Sequence, residues 1–551
     1  MPRRYTLSLA ALVAGALLPL ALAPFGIWPL LLISTGVLFW LLRRTEPGKG
    51  AFWRGWLYGV GKYGVGASWV YVSIHVYGPT APWLAVLLVV LFVAGMAVFN
   101  GVLGWAFHRL VRAQDNEVRA ALMFTVLWTA LEWLLTWFLT GFPWLFAGYA
   151  FIDTPLAGLA PVGGVLLVSF AAVLTASLAV ASVGNGIAPS RIGESERRDA
   201  GEGAPRREGR PHEVQGRSLR WLAGPIGFVP RVRWSILAVP ALVWIAAWAL
   251  GAVTWTERGE TRTVALAQGN IPQSTKWTPE GAALSRQRYR ELTARVADAD
   301  IVVWPEAAIP AYLRHTKTYI EAQRGESGDV VTGILVAEAR EGTGTMAYFN
   351  AAVATGGDAV YRKRHLVPFG DFVPFEALLR GLIAFFDLPM SGTTPGDPEQ
   401  PLLRAAGIDL AMAICWEIAY PKTVAADARR AHALVTISND TWFGASIGPS
   451  QHFQIARMRA LENGKYLLRS TNDGITGIVD DQGEVVGRLP RFQEGVLTGT
   501  IHAVSGATPF GRWLHGPLFV VLGGFGCGVL LARVGSDPYR RGCRSPTASC
   551  C

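Results

Sequence analysis

The sequence predicts two architectures in one chain: a membrane-embedded α-helical bundle of about eight spans and a soluble α/β domain. Hydrophobic residues make up 51% of the 551 residues and charged residues only 16%, whereas soluble proteins carry about a quarter charged residues. Long apolar runs fall within residues 1–253 and again within 513–551, and strand and helix patterns alternate in residues 254–512. We expect these segments to be the span region, the soluble domain, and the last span with its tail.

The apolar runs approach the length needed to cross a bilayer, which is about 20 residues for a helix. The first run ends in Ala21-Leu22-Ala23, which resembles a signal-peptidase site, but Pro24 follows directly and disfavours cleavage. We therefore expect the first span to be retained. The runs cover residues 6–23, 27–42, 55–74, 83–107, 120–140, 157–183, 234–253 and 513–532.

Lysine and arginine residues predict the orientation of the spans. They cluster at the N-terminus, in the loops after the second and fourth runs, in residues 184–233 and in the C-terminal tail. The alternate loops, residues 24–26, 75–82 and 141–156, contain none. By the positive-inside rule both termini are cytoplasmic, and the soluble domain lies in what would be the periplasm of a Gram-negative bacterium.

The distribution of charge also bears on partners. The net charge of +10 lies in short loops and not in a stripe interleaved with aromatic residues, which argues against nucleic-acid binding. The segment near 186–220 is rich in Gly, Glu, Arg and Pro without apolar periodicity, so it predicts a disordered cytoplasmic linker. Two ionisable residues interrupt the runs, Lys62 and Glu132. We expect each either near a substrate entry or paired with a polar neighbour.

The soluble segment alternates strand and helix signals, as a layered α/β domain does. Helical patterns cover Leu284–Val296 and His452–Glu462, and Asp481-Gln482-Gly483 marks a late hairpin. Strand-like runs cover Thr263–Ala267, Ile301–Trp304, Val330–Val336, Ala347–Ala354, Leu410–Ile414, Leu434–Ser438 and Ile475–Val479.

The cysteines argue against a disulfide framework and against a metal centre. Of the five, four lie in or after the last apolar run, and only Cys415 falls in the soluble segment. No CxxC pair or His cluster has the spacing of a zinc site, so no metal or cofactor is expected. The isolated thiol therefore needs another explanation.

Two charged side chains come directly after, or within, predicted strands. Glu306 follows Ile301–Trp304 and Pro305, where a carboxylate suits a general base or is simply a solvated loop residue. Lys363 stands between Arg362 and Arg364, a run that resembles a solvated or lipid-headgroup face. On a strand, however, Lys363 points opposite to its two neighbours. An inward lysine would stabilise an oxyanion and lower the pKa of a neighbouring thiol.

Cys415 ends the apolar strand pattern Leu410–Ile414 and precedes Trp416 and Glu417. A lone cysteine after such a strand is often a buried small hydrophobic residue. A sharp turn from the strand into a helix would instead expose the thiol and offer the Trp416 backbone N–H as an oxyanion donor. Both interpretations remain open on the local pattern.

Taken together, the motifs resemble a known superfamily. The soluble segment is similar to the nitrilase superfamily, whose members carry a Glu-Lys-Cys triad on an α-β-β-α sandwich. With the spans, the chain resembles the apolipoprotein N-acyltransferase family, integral membrane enzymes that complete bacterial lipoprotein maturation. The stretches that carry the resemblance are Gln268-Gly269-Asn270-Ile271-Pro272-Gln273, WPEAAIP at 304–310, HLVPFGDFVP at 365–374, AICWE at 413–417, TISNDTWFG at 436–444, QHFQIARMRALE at 451–462 and RSTNDGITGIVDDQGE at 469–484.

The resemblance implies catalytic roles for three residues: Glu306 is the general base, Lys363 stabilises the oxyanion and Cys415 is the nucleophile. Four further residues are implied to bind substrate or shape its site. Glu417 matches a further carboxylate, Trp277 matches an aromatic on a mobile loop, Trp416 stands where the family can have tyrosine, and Asp371 replaces the usual glutamate with a side chain one methylene shorter.

The resemblance also implies a ping-pong reaction at the inner membrane, catalysed by a monomer. A phospholipid, typically phosphatidylethanolamine, gives its sn-1 acyl chain to Cys415 as a thioester. The α-amine of a diacylglyceryl apolipoprotein then accepts it. Two other functions share some of the sequence features: a membrane-tethered nitrilase-type amidase acting on a small soluble amide, and a scaffold or transporter with a degenerate soluble domain. The span count argues against the former and the intact triad residues against the latter.

The segment Glu376–Phe386 leaves two structural interpretations open. Leu378, Leu382 and Phe386 recur at helical spacing and form one apolar face together with Leu379 and Ile383. The face either packs in the core of the domain or forms an arm that dips into the membrane interface.

Overall fold

The computed structural model describes residues 2–45, 50–78, 80–111, 116–183, 232–324, 328–340, 345–372 and 392–524. Three predicted features lie outside these ranges: the linker near 186–220, the apolar segment 376–386 and the chain after residue 524. Within them, a helical bundle precedes a two-sheet domain.

The N-terminal half is helical, with a helix in each of the apolar regions predicted before residue 253. Among the residues that the structure describes, three segments are long and apolar enough to cross a membrane by length and composition, namely Pro82–Leu110, Pro155–Ser182 and Trp234–Gly251. The apolar helices at Tyr5–Ala21 and Pro29–Arg43 are shorter, so eight spans are not confirmed. The helices are α1 (Pro2–Leu17), α2 (Pro29–Arg43), α3 (Gly50–Gly66), α4 (Trp69–Val72), α5 (Pro82–Leu110), α6 (Glu117–Leu134), α7 (Ala160–Ser182) and α8 (Trp234–Gly251).

Small residues bring the helices of the bundle close together, as is usual between membrane helices. A Cβ added to Gly59 of α3 would lie 2.7 Å from the Cα of Ala97 in α5. The buried charge Glu132 has polar neighbours: its Oε1 accepts hydrogen bonds from Trp128 Nε1 at 2.9 Å and from the Ala147 N–H at 2.8 Å. Lys62 lies over the ring of Trp128, 5.4 Å from its centroid.

The fifth predicted span, residues 120–140, is shorter than the pattern suggested. Helix α6 ends at Leu134, and the chain then turns through Leu139 and Thr140, both with positive φ. Residues 135–159, here called the connector, form short turns and 3-10 helices before α7 begins. The apolar side chains of this stretch are therefore buried against α7, α8 and the soluble domain, and they do not continue the helix.

The soluble domain consists of two six-stranded sheets. The first sheet has the strand order β12-β1-β2-β3-β4-β5 and the second β11-β10-β9-β8-β7-β6. The strands are β1 (Glu257–Gln268), β2 (Ile301–Val303), β3 (Asp329–Ala339), β4 (Met346–Ala354), β5 (Val360–Arg362), β6 (Leu403–Ala405), β7 (Ile408–Ile414), β8 (Ala433–Ser438), β9 (Leu467–Thr471), β10 (Gly477–Val479), β11 (Val485–Arg488) and β12 (Gly495–Ser505).

Alternation along the strands builds a core between the sheets and one on each outer face. In β2, Ile301 and Val303 join Leu410 and Val435 of the second sheet in the central core, whereas Val302 faces outward. Helices cover both outer faces, which confirms the α-β-β-α sandwich. They are α9 (Gln273–Lys276), α10 (Pro279–Ala294) and α11 (Leu313–Glu321) on the first sheet, and α12 (Pro421–Ala428) and α13 (Gly448–Asn463) on the second. Two further helices, α14 (Pro509–Trp513) and α15 (516–524), follow β12 and contact the helical half.

The central strands run parallel: β1 with β2 and β3 in the first sheet, and β7 with β8 and β9 in the second. Parallel strands place their carboxyl ends at one edge, where α/β proteins commonly carry their sites. All seven predicted strand runs are confirmed, as are the strand that ends before Lys363 (β5) and the late hairpin, which joins β10 to β11. Three other strands, β6, β9 and β12, were not predicted.

Candidate functional site

Three strand ends bring Glu306, Lys363 and Cys415 together. Glu306 follows β2, Lys363 follows β5 directly, and Cys415 follows β7 directly. The Lys363 ammonium is buried and lies 3.7 Å from Glu306 Oε1. Cys415 is close enough that the charges of both groups shift its pKa. The predicted constellation is therefore present as a spatial cluster.

The Glu306 carboxylate is held from two directions. Its Oε1 accepts a hydrogen bond from Asn350 Nδ2 at 2.7 Å, and its Oε2 accepts one from the Asn439 backbone N–H at 2.8 Å. Ala307, the next residue, has a φ of 44° and turns the chain sharply. These contacts aim the carboxylate into the cluster instead of leaving it solvated, and neither asparagine was predicted.

Lys363 faces inward as the alternation predicted. Its Nζ lies 2.7 Å from Asp371 Oδ2, which also accepts a hydrogen bond from the Val367 N–H at 2.8 Å. Burial lowers the pKa of Lys363, but the carboxylates of Asp371 and Glu306 outweigh it and raise the pKa well above its usual range. The lysine is therefore a fixed positive charge at neutral pH. The shorter Asp371 does reach Lys363, whereas its predicted contact with substrate stays a prediction.

The two arginines that flank Lys363 do not form a free basic face. Arg362 pairs with Glu338 and keeps part of its side chain exposed. Arg364 is mostly buried and pairs with Asp427. The opposite orientation of Lys363 is confirmed, but the expectation of two solvated cations is wrong because both have carboxylate partners.

Cys415 sits at a sharp turn, here called the elbow, where β7 leads into a 3-10 helix at Cys415–Ala419. Its φ of 55° is left-handed, a conformation that costs a non-glycine residue about 1–3 kcal/mol. Burial and the Glu306 charge raise the pKa of the thiol to about 12, against the Lys363 charge and a Ser438 hydrogen bond, which lower it. Lys363 thus lowers the thiol pKa, as predicted, but burial raises it by more. The thiol therefore needs a base.

Glu417 connects the elbow to the segment that carries Lys363. Its Oε2 accepts hydrogen bonds from the Ile414 N–H and the Tyr361 hydroxyl, both at 2.8 Å. Its Oε1 accepts from the Arg364 N–H at 2.7 Å and the His365 N–H at 3.1 Å. Burial raises the pKa of this carboxyl, although the backbone donors oppose the shift. All four partners are protein groups, so a contact between Glu417 and substrate stays a prediction.

Trp416 and Trp277 occupy different environments. Trp416 is buried against the connector: its ring lies 5.8 Å from that of Phe142 and stacks on that of Trp144 at 6.1 Å. Trp277 directly follows α9 and is 37% exposed. The residue next to the nucleophile is therefore packed on the helical half of the chain, and the other aromatic remains accessible.

Comparisons with known proteins agree with this architecture. The family described as "Apolipoprotein N-acyltransferase N-terminal domain" matches residues 14–178, and "Carbon-nitrogen hydrolase" matches residues 263–510. An apolipoprotein N-acyltransferase of Pseudomonas aeruginosa is 43% identical over 532 residues, which cover 95% of this chain and 96% of the relative. The chain belongs to the apolipoprotein N-acyltransferase family.

Other members of the family are also similar over nearly their whole length. The apolipoprotein N-acyltransferase of Azotobacter vinelandii is 42% identical and covers 93% of this chain and 92% of its own. That of Photobacterium profundum is 38% identical, with 92% and 91% covered. Because the match includes the helical half, the membrane-tethered amidase is not favoured. Membership and the apolar helices together indicate a membrane-bound acyltransferase.

In this acyltransferase a second buried network lies behind the elbow, and sequence reasoning missed it. Arg469 Nη2 donates to both oxygens of Asp440, at 2.8 and 3.1 Å, and Ser438 Oγ donates to Asp440 Oδ1 at 2.7 Å. His452 Nε2 lies 3.1 Å from the Cys415 carbonyl oxygen. Despite burial, Arg469 holds the pKa of Asp440 well below its usual range.

Lys276 is a further buried charge beside the cluster. Its Nζ donates to the Glu306 carbonyl oxygen at 3.3 Å, and burial lowers its pKa to about 8. Sequence reasoning noted only its neighbour Trp277, because a lone lysine beside a tryptophan gives no signal of burial. The described residues contain no group of three or more His, Cys, Asp or Glu side chains that could hold a metal ion.

Proposed function

We propose that this chain transfers the sn-1 acyl chain of a phospholipid to the N-terminal amine of the diacylglyceryl-cysteine of apolipoproteins, through a thioester on Cys415. The observation that carries the proposal is the convergence of Glu306, Lys363 and Cys415 at strand ends, beside a tryptophan packed on the helical half. Family membership supports both substrates at a coarse level. The phosphatidylethanolamine donor and the monomeric state are parts of the proposal.

In the first half-reaction Glu306 takes the thiol proton, and the thiolate attacks the ester carbonyl of the donor. The tetrahedral oxyanion is stabilised by Lys363 and by the Trp416 backbone N–H. The C–O bond then breaks, Glu306 returns the proton to the leaving glycerol oxygen, and a lysophospholipid departs. A base is needed because the thiol, with a pKa near 12, is protonated at neutral pH.

In the second half-reaction the neutral amine of the lipoprotein attacks the thioester carbonyl. Glu306 accepts the proton that the amine loses, and the same two donors hold the oxyanion. Collapse expels the Cys415 thiolate, which is reprotonated, and leaves an amide. Thiolate is a better leaving group than alkoxide, so the thioester makes amide formation easier.

The helical half gives the reaction access to its lipids. Lifting an acyl chain into water costs about 0.8 kcal/mol per methylene, or on the order of 10 kcal/mol for a full chain. Trp416 packs on Phe142 and Trp144 of the connector, so continuous apolar packing links the bundle to the residue after the nucleophile. We place Trp416 and Trp277 along the path of the acyl chain and substrate.

The topology is proposed as follows. Residues 1–253 form a multi-pass region of the bacterial inner membrane, residues 254–512 form a periplasmic catalytic domain, and residues 513–551 form the last of about eight spans and a cytoplasmic tail. The absence of Lys and Arg from residues 75–82 and 141–156 supports this orientation. In a chain whose native cysteines are replaced by serine, a membrane-impermeant maleimide should label a cysteine introduced at the exposed Gln482 but not one introduced at Arg44 in intact spheroplasts. The reverse pattern would contradict the orientation.

The covalent step is tested by intact-protein mass spectrometry after incubation with phosphatidylethanolamine. We expect one acyl adduct that hydroxylamine removes and that Cys415→Ala abolishes. Cys527→Ala is the matched control, since it removes another thiol from the chain, and it should keep the adduct. An active protein without any adduct would refute the thioester mechanism.

A further inference from the structure

The peptide bond between Cys415 and Trp416 carries a carbonyl and an N–H that have different roles. In a trans peptide the C=O and N–H point in opposite directions. The N–H belongs to Trp416 and is one of the two oxyanion donors of the proposed reaction. It lies in the first turn of the 3-10 helix, where backbone donors have no intrahelical acceptor. Whatever fixes the Cys415 carbonyl therefore also fixes the direction of this donor.

His452 contacts that carbonyl. Its Nε2 lies 3.1 Å from the Cys415 carbonyl oxygen, and because a carbonyl only accepts, Nε2 carries the proton. The histidine lies in α13 and is fully buried. Its ring packs against two aromatic side chains, 5.4 Å from Trp144 and 5.9 Å from Phe443. The ring therefore has little freedom to turn away from the elbow.

The other ring nitrogen is fixed by charged neighbours. Arg469 Nη2 lies 3.0 Å from His452 Nδ1, and a guanidinium can only donate, so Nδ1 accepts. Asp440 Oδ1 is 3.2 Å from the same nitrogen but already accepts from Arg469 and Ser438. A second proton on His452 would place another cation beside Arg469, and burial together with Arg469 lowers the pKa of His452. The ring is thus neutral, with its proton directed at Cys415.

We propose that His452 is a positioning residue of the acyl transfer, which holds the Cys415–Trp416 peptide so that the Trp416 N–H faces the oxyanion. The inference rests on the proposed function, because it needs an oxyanion at Cys415. It explains how a left-handed cysteine, with a φ of 55°, keeps one orientation. His452 touches no substrate; it acts through the nucleophile's own backbone.

Three substitutions separate this hydrogen bond from the rest of the network. In His452→Gln the amide Nε2 lies as many bonds from Cβ as the histidine Nε2, so a donor to the carbonyl remains. In His452→Asn the amide oxygen replaces Nδ1 as acceptor for Arg469, but no donor reaches Cys415. His452→Leu removes both. If His452 only fills space, the rate of thioester formation should fall by a similar factor in all three variants. If His452 positions the peptide, only the Gln variant should keep that rate.

The first readout is the rate of thioester formation at saturating phosphatidylethanolamine. We expect Gln to stay within about fivefold of the wild type and Asn and Leu to fall about 100-fold, as when one oxyanion donor is lost. The KM for phospholipid should not change, since His452 does not bind it. An Asn variant as fast as the Gln variant, at matched melting temperatures, overturns the proposal.

The second readout does not need phospholipid. Alkylation of Cys415 by iodoacetamide, measured on the Cys415 peptide by mass spectrometry, reports the state of the elbow. We expect the wild-type rate in Gln and faster alkylation in Asn and Leu, because a relaxed elbow exposes the half-buried thiol. If the wild type forms no thioester, the proposed function fails. Equal alkylation in all variants refutes the positioning role.

Discussion

Replacement of Glu417 by glutamine tests whether this residue holds the site together. The carboxylate accepts four hydrogen bonds, two on each oxygen, from Ile414 and Tyr361 on one side and Arg364 and His365 on the other. Glutamine offers one oxygen, so two buried donors lose their acceptor and face an amide N–H₂. Each such donor costs about 1–3 kcal/mol, which gives a loss of about 4 kcal/mol in the free energy of unfolding.

The assay is thermal unfolding of the purified protein in detergent, together with the rate of thioester formation. For a domain of this size the loss corresponds to a melting temperature lower by about 10 °C. The acylation rate should fall at least about tenfold, because the elbow is no longer tied to the segment that carries Lys363. Glu484→Gln, at an exposed carboxylate, is the control and should change neither quantity.

A substrate-binding role for Glu417 predicts a different result. If Glu417 served mainly to contact substrate, as the family resemblance implied, the glutamine variant would keep its melting temperature and raise the KM for one substrate. A stable Glu417→Gln protein with an altered KM would refute the hydrogen-bond argument.

The remaining predictions concern the charges around the thiol. Alkylation of Cys415 in the absence of lipid should rise about tenfold per pH unit from pH 7 to 10, as for a thiol well below its pKa. Glu306→Gln should accelerate alkylation at pH 8, because the Glu306 carboxylate raises the thiol pKa, and should abolish thioester formation, because the base is lost. Lys363→Met should slow both alkylation and thioester formation. Equal alkylation in the two variants would contradict the assigned electrostatics. Asp371→Asn frees Lys363 to pair with Glu306, so acylation should slow by about 10–100-fold without a change in KM. An unchanged rate would show that the ion pair between Lys363 and Asp371, at 2.7 Å, is dispensable.

The residues at the strand ends could be predicted because the signal is local. An apolar strand followed at once by a reactive side chain places that side chain at the edge of a sheet, and Glu306 and Cys415 both follow such strands. The inward direction of Lys363 followed from the alternation of a strand alone. What the local pattern left open was whether Cys415 was a nucleophile or a core residue, and the left-handed elbow beside Lys363 and Glu306 favours the nucleophile.

The missed strands lack that local signal. Strand β12 is interrupted in its middle by Thr498-Gly499-Thr500, so its apolar alternation is weak, and its pairing with β1 defines it. Strand β9 reads as two leucines followed by Arg469, Ser470 and Thr471, all buried. Polar residues become buried there because partners from other elements satisfy them. Periodicity cannot reveal such partners.

Asn350 and Lys276 were missed for the same reason. Asn350 is one polar residue in the otherwise apolar second half of β4, a feature visible in the sequence, but only the fold shows Glu306 opposite it. Lys276 becomes a buried charge only when α9 docks onto the turn after β2. A side chain whose partner lies on another element cannot be recognised from the sequence, because only the folded structure brings the two together.

Helix α13 joins the two halves of the molecule. One face of this helix accepts three hydrogen bonds from the helical half. Trp144 Nε1 donates to Gln451 Oε1 at 2.7 Å, and the Ala23 N–H donates to Gln454 Oε1 at 3.0 Å. The Val165 N–H donates to Glu462 Oε1 at 2.6 Å. Those donors come from three separate parts of the helical half. Within the same helix His452 faces the Cys415 carbonyl.

A helix transmits displacement along its length as a rigid body, because each turn is hydrogen-bonded to the next. The contacts that anchor α13 to the bundle therefore also set the position of His452, and through it the peptide that carries the oxyanion donor. The helical half of this chain then does more than hold it in a membrane, since the connector packs against the residue that follows the nucleophile. This is why the catalytic geometry of this acyltransferase depends on residues about 300 positions apart in the sequence, such as Trp144 and Gln451.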